Sequence, residues 1–146
     1  MARNIPDRTE LEADVVDLVH HLARTLRRSA RDVLDPLGVT WAQVRALRTI
    51  VAGPPPLRMG ILAERLDVVP RSATSVVDEL EDKGLATRTR DPADRRAVAV
   101  EATDAGRALL ARLGDQRRDV ASQTLAELTD ADLDALRALL GRTGTC

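Results

Sequence analysis

Around Gly84 the hydrophobic period of this chain changes from 3.6 residues to two, and after Thr103 it changes back. Ala73, Val76, Val77 and Leu80 recur at helical spacing from Pro70 to about Lys83, and Gly84 is placed to close that helix in the left-handed conformation. Ala86–Arg90 and Arg96–Glu101 then alternate, separated by the turn sequence Asp91-Pro92-Ala93-Asp94. Two short strands joined by such a turn form a β-hairpin. Thr103 is a good N-cap for the helical pattern that follows.

The residues before the hairpin narrow the architecture further. A short helix is expected over Gly60–Leu66, then a tight turn, Asp67-Val68-Val69. Pro70 stands where a first helical residue would, because its missing amide hydrogen costs nothing there. Short helix, tight turn and second helix make a helix-turn-helix, and the hairpin straight after it makes that unit winged. Upstream, Thr40-Trp41-Ala42-Gln43 reads as a capping box opening a helix with Val44, Leu47 and Ile50, which ends at Gly53-Pro54-Pro55-Pro56. The expected fold is mainly α with a small β-hairpin wing, with the winged helix-turn-helix at residues 40–102.

Long helical patterns flank this unit. From Thr9 to Leu34 the stripe is Leu11, Val15, Leu18, Leu22, Leu26 and Val33, ended by Pro36 and Gly38. From Asp104 to about Leu128 it is Leu109, Leu110, Leu113, Val120, Leu125 and Leu128; Thr129-Asp130 caps a last helix carrying Leu133, Leu136, Leu139 and Leu140. These helices hold more leucine than a small winged core can cover, and exposed it would invite aggregation. A second copy of the chain is the expected cover, so residues 9–34 and 104–142 are read as dimerisation helices of one 146-residue domain.

Composition excludes several classes. With one Trp, no Phe and no Tyr, the core must be built from Leu, Val, Ile and Ala. No apolar run approaches the ~20 residues that span a bilayer. Met1–Glu10 is polar and has no signal-peptide core, so a cytoplasmic protein without membrane attachment is expected. Cys146, the only cysteine, cannot form an internal disulfide or a cysteine metal site. His20 and His21 fall on different helix faces and do not form a chelating pair. There is no Gly-rich phosphate loop, no HExxH and no Ser or Cys beside a plausible base. No enzyme, cofactor or metal centre is expected. Net charge is −1, but residues 84–100 carry Arg88, Arg90, Arg95 and Arg96 against Asp91 and Asp94, a net of +2. A basic tip on a near-neutral protein suits a nucleic-acid contact.

Three stretches resemble the MarR (multiple antibiotic resistance regulator) family: Leu57-Arg-Met-Gly-Ile-Leu-Ala-Glu-Arg-Leu66; Arg71-Ser-Ala-Thr-Ser-Val-Val-Asp-Glu-Leu-Glu-Asp-Lys-Gly-Leu85; and Arg90-Asp-Pro-Ala-Asp-Arg-Arg-Ala-Val-Ala-Val-Glu-Ala-Thr-Asp-Ala-Gly106. The Asp-Pro-x-Asp-Arg-Arg hairpin followed by Thr-Asp-x-Gly is the most specific part, and Val39–Leu47 adds to it. The resemblance implies a homodimer that binds a palindromic operator in double-stranded DNA and represses transcription until a small anionic or phenolic effector releases it. It implies that Ser72, Thr74 and Ser75 face the major groove and that Arg71 meets a phosphate or base. It places Arg96 in the minor groove, Asp94 as an ion-paired brace of the wing, and Arg90 and Arg95 along the backbone. Arg88 joins this set as part of the basic hairpin. Candidate effector contacts are His20, His21, Arg24, Trp41 and Arg45.

The chain departs from the family pattern at Ser75, where Arg or Lys is common, at Pro70, which replaces a Ser-type cap, and at Asp67, which replaces a turn glycine. The first departure keeps an alternative open: a protein-binding module or antirepressor of the same fold that has lost its DNA affinity.

Overall fold

The computed structural model describes residues 7–91, 94 and 97–144. Six α-helices and three short strands follow in the order α1 (Arg8–Leu34), α2 (Trp41–Ala52), β1 (Leu57–Arg58), α3 (Met59–Leu66), α4 (Pro70–Asp82), β2 (Ala86–Arg90), β3 (Val98–Ala102), α5 (Asp104–Thr124) and α6 (Asp130–Arg142). Asp35–Leu37 forms a 3₁₀ turn after α1, closed by Gly38 in the left-handed conformation.

Local chemistry accounts for most of the boundaries. Asp7 and Glu10 form a capping box on α1, and Thr40 and Gln43 form the expected one on α2. Asp67 ends α3 at φ 54°, ψ 50°, a left-handed conformation that Asp tolerates better than most non-glycine residues. Gly84 takes φ 66° after α4, as its position in the sequence implies. The Thr-Asp-x-Gly segment also has a packing reason. Thr103 accepts the Gly106 amide at 3.1 Å and donates to the Gly84 carbonyl at 2.6 Å. A Cβ at Gly106 would lie 2.1 Å from the Leu85 carbonyl oxygen, so only glycine lets α5 start this close to the end of α4.

The expected hairpin is part of a three-stranded antiparallel sheet of order β1-β3-β2. Leu57 lies opposite Val100 and Arg58 opposite Ala99, while β2 pairs with β3 from Ala86↔Ala102 to Arg90↔Val98. Strand β1 is two residues long, too short for a period to show in the sequence. Among the described residues β3 begins at Val98, and the Ala97 amide is bonded to the Asp94 carbonyl at 2.9 Å; the expected start at Arg96 lies outside the described residues. α5 ends at Thr124, short of the expected Leu128, where the Leu125 amide makes the last bond to Ala121.

The core lies where α2, α3 and α4 meet the sheet. It contains Val44, Leu47, Ile50, Leu57, Leu62, Leu66, Val77, Leu80 and Val100, joined by Leu109 and Leu113 from α5 and Leu34 from α1. Gln43, 1% exposed, enters this core: its amide nitrogen donates to Glu79 of α4, tying the start of α2 to that helix. The terminal helices differ. Leu11, Val15, Val16, Leu18 and Val19 are exposed on α1, and α6 has no buried residue. Among the described residues, no helix is long and apolar enough to cross a membrane.

Candidate nucleic-acid interface

Helix α4 presents two faces. Ala73, Val77 and Leu80 are buried against α2 and α3, while Arg71, Ser72, Thr74 and Ser75 are exposed on the opposite side. The helix begins without a side-chain cap: Val69 is the N-cap, and its carbonyl accepts the Ser72 amide at 2.9 Å. The hydroxyls of Thr74 and Ser75 donate to the carbonyls one turn back, Pro70 at 3.0 Å and Arg71 at 3.2 Å. They do not cap the helix, and their oxygens keep lone pairs for outside donors. The C-terminal half is acidic, with Asp78, Glu79, Glu81 and Asp82.

Arg88 is bound to that acidic half. Its guanidinium pairs with Asp78 at 2.6 Å and with Glu81, and donates to the Thr74 carbonyl at 3.2 Å. Its backbone amide donates to Glu81 as well, at 2.6 Å. Grouped by sequence with the DNA-facing arginines, Arg88 is instead turned inward and clamps β2 to α4. Arg90 ends β2 exposed and makes no ion pair among the described residues. Arg95 and Arg96 lie outside the described residues, as does Cys146.

The root of the wing is organised by a residue that sequence reading took for part of a turn. Asp91, 6% exposed, accepts from Arg58 through one carboxylate oxygen and from the Asp94 amide at 3.1 Å through the other. Its own amide donates to the Ala97 carbonyl at 3.1 Å. The hydrogen bond and the charge of Asp91, with a smaller contribution from Asp94, hold the Arg58 pKa above its usual value. Asp94 itself is exposed, and its backbone serves the wing turn. No local pattern could link Arg58 to Asp91, which stand 33 residues apart.

A cavity of about 230 Å³ opens between α1, α2 and α5. Its walls are apolar, from Ala23, Leu26, Ala30, Trp41 and Leu113, and its rim carries Arg27, Arg48 and Arg117. Of the five residues expected at an effector site, only Trp41 lines it. Arg45 turns away and donates to the Leu66 carbonyl at 2.6 Å, capping the end of α3. His21 and Arg24 line a separate depression along α1 with Thr25 and Arg28, and exposed His20 lines neither.

The sequence model of the MarR family matches residues 37–97. A protein of Thauera aromatica named as a transcriptional regulatory protein for the hcr operon is 33% identical over 143 residues, covering 89% of this chain and 86% of that one. The chain belongs to the MarR family. As a member it is a transcriptional regulator and not an enzyme. The HTH-type transcriptional repressor MdtR of Bacillus subtilis (strain 168) is 27% identical over 124 residues, or 85% of this chain and 79% of MdtR. The structure of an S. aureus MepR–DNA complex has the same fold, with a TM-score of 0.75 over 88% of this chain and 96% of that chain at 19% identity. Within this MarR-family chain, sequence reading singled out neither the Arg58–Asp91 pair nor the Arg27, Arg48 and Arg117 that line the cavity. The last three stand among many exposed arginines, and only the packing of α1, α2 and α5 singles them out.

Proposed function

We propose that this chain acts as a homodimer that binds a palindromic DNA operator, represses transcription from it, and is released by a small anionic or phenolic effector. The observation that carries the reading is the exposed N-terminal face of α4, with Arg71, Ser72, Thr74 and Ser75, on a helix followed directly by the β2–β3 hairpin, where Arg90 is exposed. A helix of this size fits the major groove, and residues near its N-terminus reach base edges and phosphates. Arg90, Arg95 and Arg96 would follow the backbone and enter the minor groove, whose negative potential favours arginine. Asp94 would brace the wing. Arg88 would serve by neutralising Asp78 and Glu81, which otherwise repel the phosphates.

The dimer reading rests on the exposed leucines and valines of α1 and on α6, where no residue is fully buried and Leu139 and Leu140 are exposed. Two-fold symmetry would set two copies of α4 about 34 Å apart, one helical turn of DNA. Residues 8–34 and 104–142 would then dimerise while 40–102 bind DNA. Repression follows the naming of MdtR and the physics of occupancy, since a dimer on a promoter excludes polymerase. For the effector, the cavity at Trp41 offers apolar walls for a ring and three guanidinium groups for an anion. A ligand there would favour a spacing of the two α4 helices that no longer fits DNA. Such a regulator works where the chromosome is, in the cytoplasm.

Selection of bound fragments from the source genome tests this directly. The expected result is a small set of sequences with paired half-sites, bound by a dimer, with affinity falling steeply as salt rises. Arg96→Ala should weaken binding by about tenfold or more with the dimer intact. Failure to enrich any duplex at moderate salt would falsify the DNA-binding reading and leave the protein-binding alternative.

A further inference from the structure

We propose that the Arg58–Asp91 ion pair is the joint that sets the elevation of the wing relative to α4, making both side chains positioning residues for DNA binding; this rests on the DNA-binding reading above. Arg58 belongs to the helix-turn-helix, since its backbone is the N-cap of α3. Asp91 belongs to the wing, standing just past the end of β2. β1 pairs with β3 at two positions only, and Arg88 clamps the base of β2 to α4; toward the tip of the hairpin, Arg58–Asp91 is the tie to the start of α3. Past Arg90↔Val98 one more backbone bond, from the Asp91 amide to the Ala97 carbonyl at 3.1 Å, holds the hairpin, and the Asp91 carboxylate adds side-chain bonds at that point. It gathers Arg58 on one oxygen and the Asp94 amide on the other, while the Ala97 amide closes on the Asp94 carbonyl.

The placement is directional. The Asp91 side chain is 7% exposed and the Arg58 side chain 46%, so the carboxylate sits inside the wing root and the guanidinium reaches it from the surface. A buried carboxylate must be satisfied, and its bonds fix where the wing chain can run. Pairs of this kind add little net stability compared with a well-packed apolar substitute; what they retain is geometry. A major-groove helix and a minor-groove wing must engage together, so an error of about 1 Å in their relative height is costly, as at any preorganised site.

The test compares Arg58→Met, Asp91→Asn and Arg58→Lys in the full-length protein. Amide exchange in the free protein should quicken at Asp94 and Ala97 in the first two variants while α4 keeps its protection. On selected operator DNA, those variants should keep guanine N7 protection in the major groove. They should lose hydroxyl-radical protection of the flanking minor groove, with affinity about tenfold weaker. Arg58→Lys should keep most of the flanking protection, because an ammonium can still reach the carboxylate. Arg58 is half exposed, so its variants should fold even if Asp91→Asn does not. Unchanged exchange at the two amides, or equal loss of protection from both grooves, overturns the proposal. If the wild-type protein binds no duplex, the functional reading fails by itself, and the exchange experiment still decides whether the joint exists.

Discussion

The winged core and the terminal helices are made of the same few aliphatic residues, yet they stand in opposite states. Leu47, Leu62, Val77 and Leu80 are completely buried in the core, whereas Leu18 of α1 is 69% exposed and no residue of α6 is fully buried. The core is closed by its own elements: three helices over a sheet, with Gly106 letting α5 seat against Leu85. The first half of α1 has an apolar stripe that its own chain leaves uncovered, and α6 has Leu133 and Leu136 half-buried while Leu139 stays 57% exposed. One region is therefore finished as a monomer. The other leaves apolar side chains of α1 and α6 in water, and that exposure is the basis of the dimer proposed above.

The sharpest way to break this contrast is to empty the core. Leu47→Ala removes a fully buried side chain from the centre of α2 and should cost about 3 kcal/mol. Thermal unfolding at fixed protein concentration reads this as a large drop in Tm. A shift of only a degree or two would mean that the core is not the closed unit described. Next in size is Val15→Asp, on the exposed stripe of α1. Here the monomer fold should persist by circular dichroism while sedimentation shows the dimer lost. DNA affinity should fall by about 100-fold or more, because each half-site is then bound alone. A variant that remains dimeric would remove α1 from the interface.

The same contrast explains what could be read from the sequence. Helices and caps were legible because their signals are local: Thr40 with Gln43, Thr103 ahead of Gly106, Thr129 ahead of Asp132, and Gly84 after Lys83 all act within four residues. Exposed residues of α4 were legible for the same reason, since helical periodicity sorts Arg71 and Ser75 from Ala73 and Val77. What escaped was tertiary. Strand β1 exists only because β3 pairs with it, and Asp91 became a wing-root residue only because Arg58 lies beside it. Charge alone could not separate Arg88, which faces Asp78 and Glu81, from Arg90, which faces outward. His20, His21, Arg24 and Arg45 do not line the cavity at Trp41, because helix face cannot be converted into cavity face without knowing how α1, α2 and α5 pack.

The smallest predicted effect concerns two helix N-termini held by different means. α4 starts at Val69 with no side-chain cap, and its buried Ala73, Val77 and Leu80 hold it in place. α6 has no fully buried residue, with Leu133 and Leu136 half-buried, and it starts at a Thr129–Asp132 capping box. Hydrogen bonds from the Thr129 hydroxyl and backbone amide hold the Asp132 carboxyl below the usual aspartate range. A depressed folded pKa stabilises the folded form above the unfolded value, and that contribution is lost as pH falls through the folded one. Between neutrality and pH ~4 the start of α6 should therefore be unchanged, and below that it should fray while α4 stays intact. Amide chemical shifts of Thr129 and Ser72, followed together down the pH range, make the comparison. If both move together, the acid response belongs to the whole fold; if Thr129 moves alone, α6 depends on its cap where α4 depends on the core.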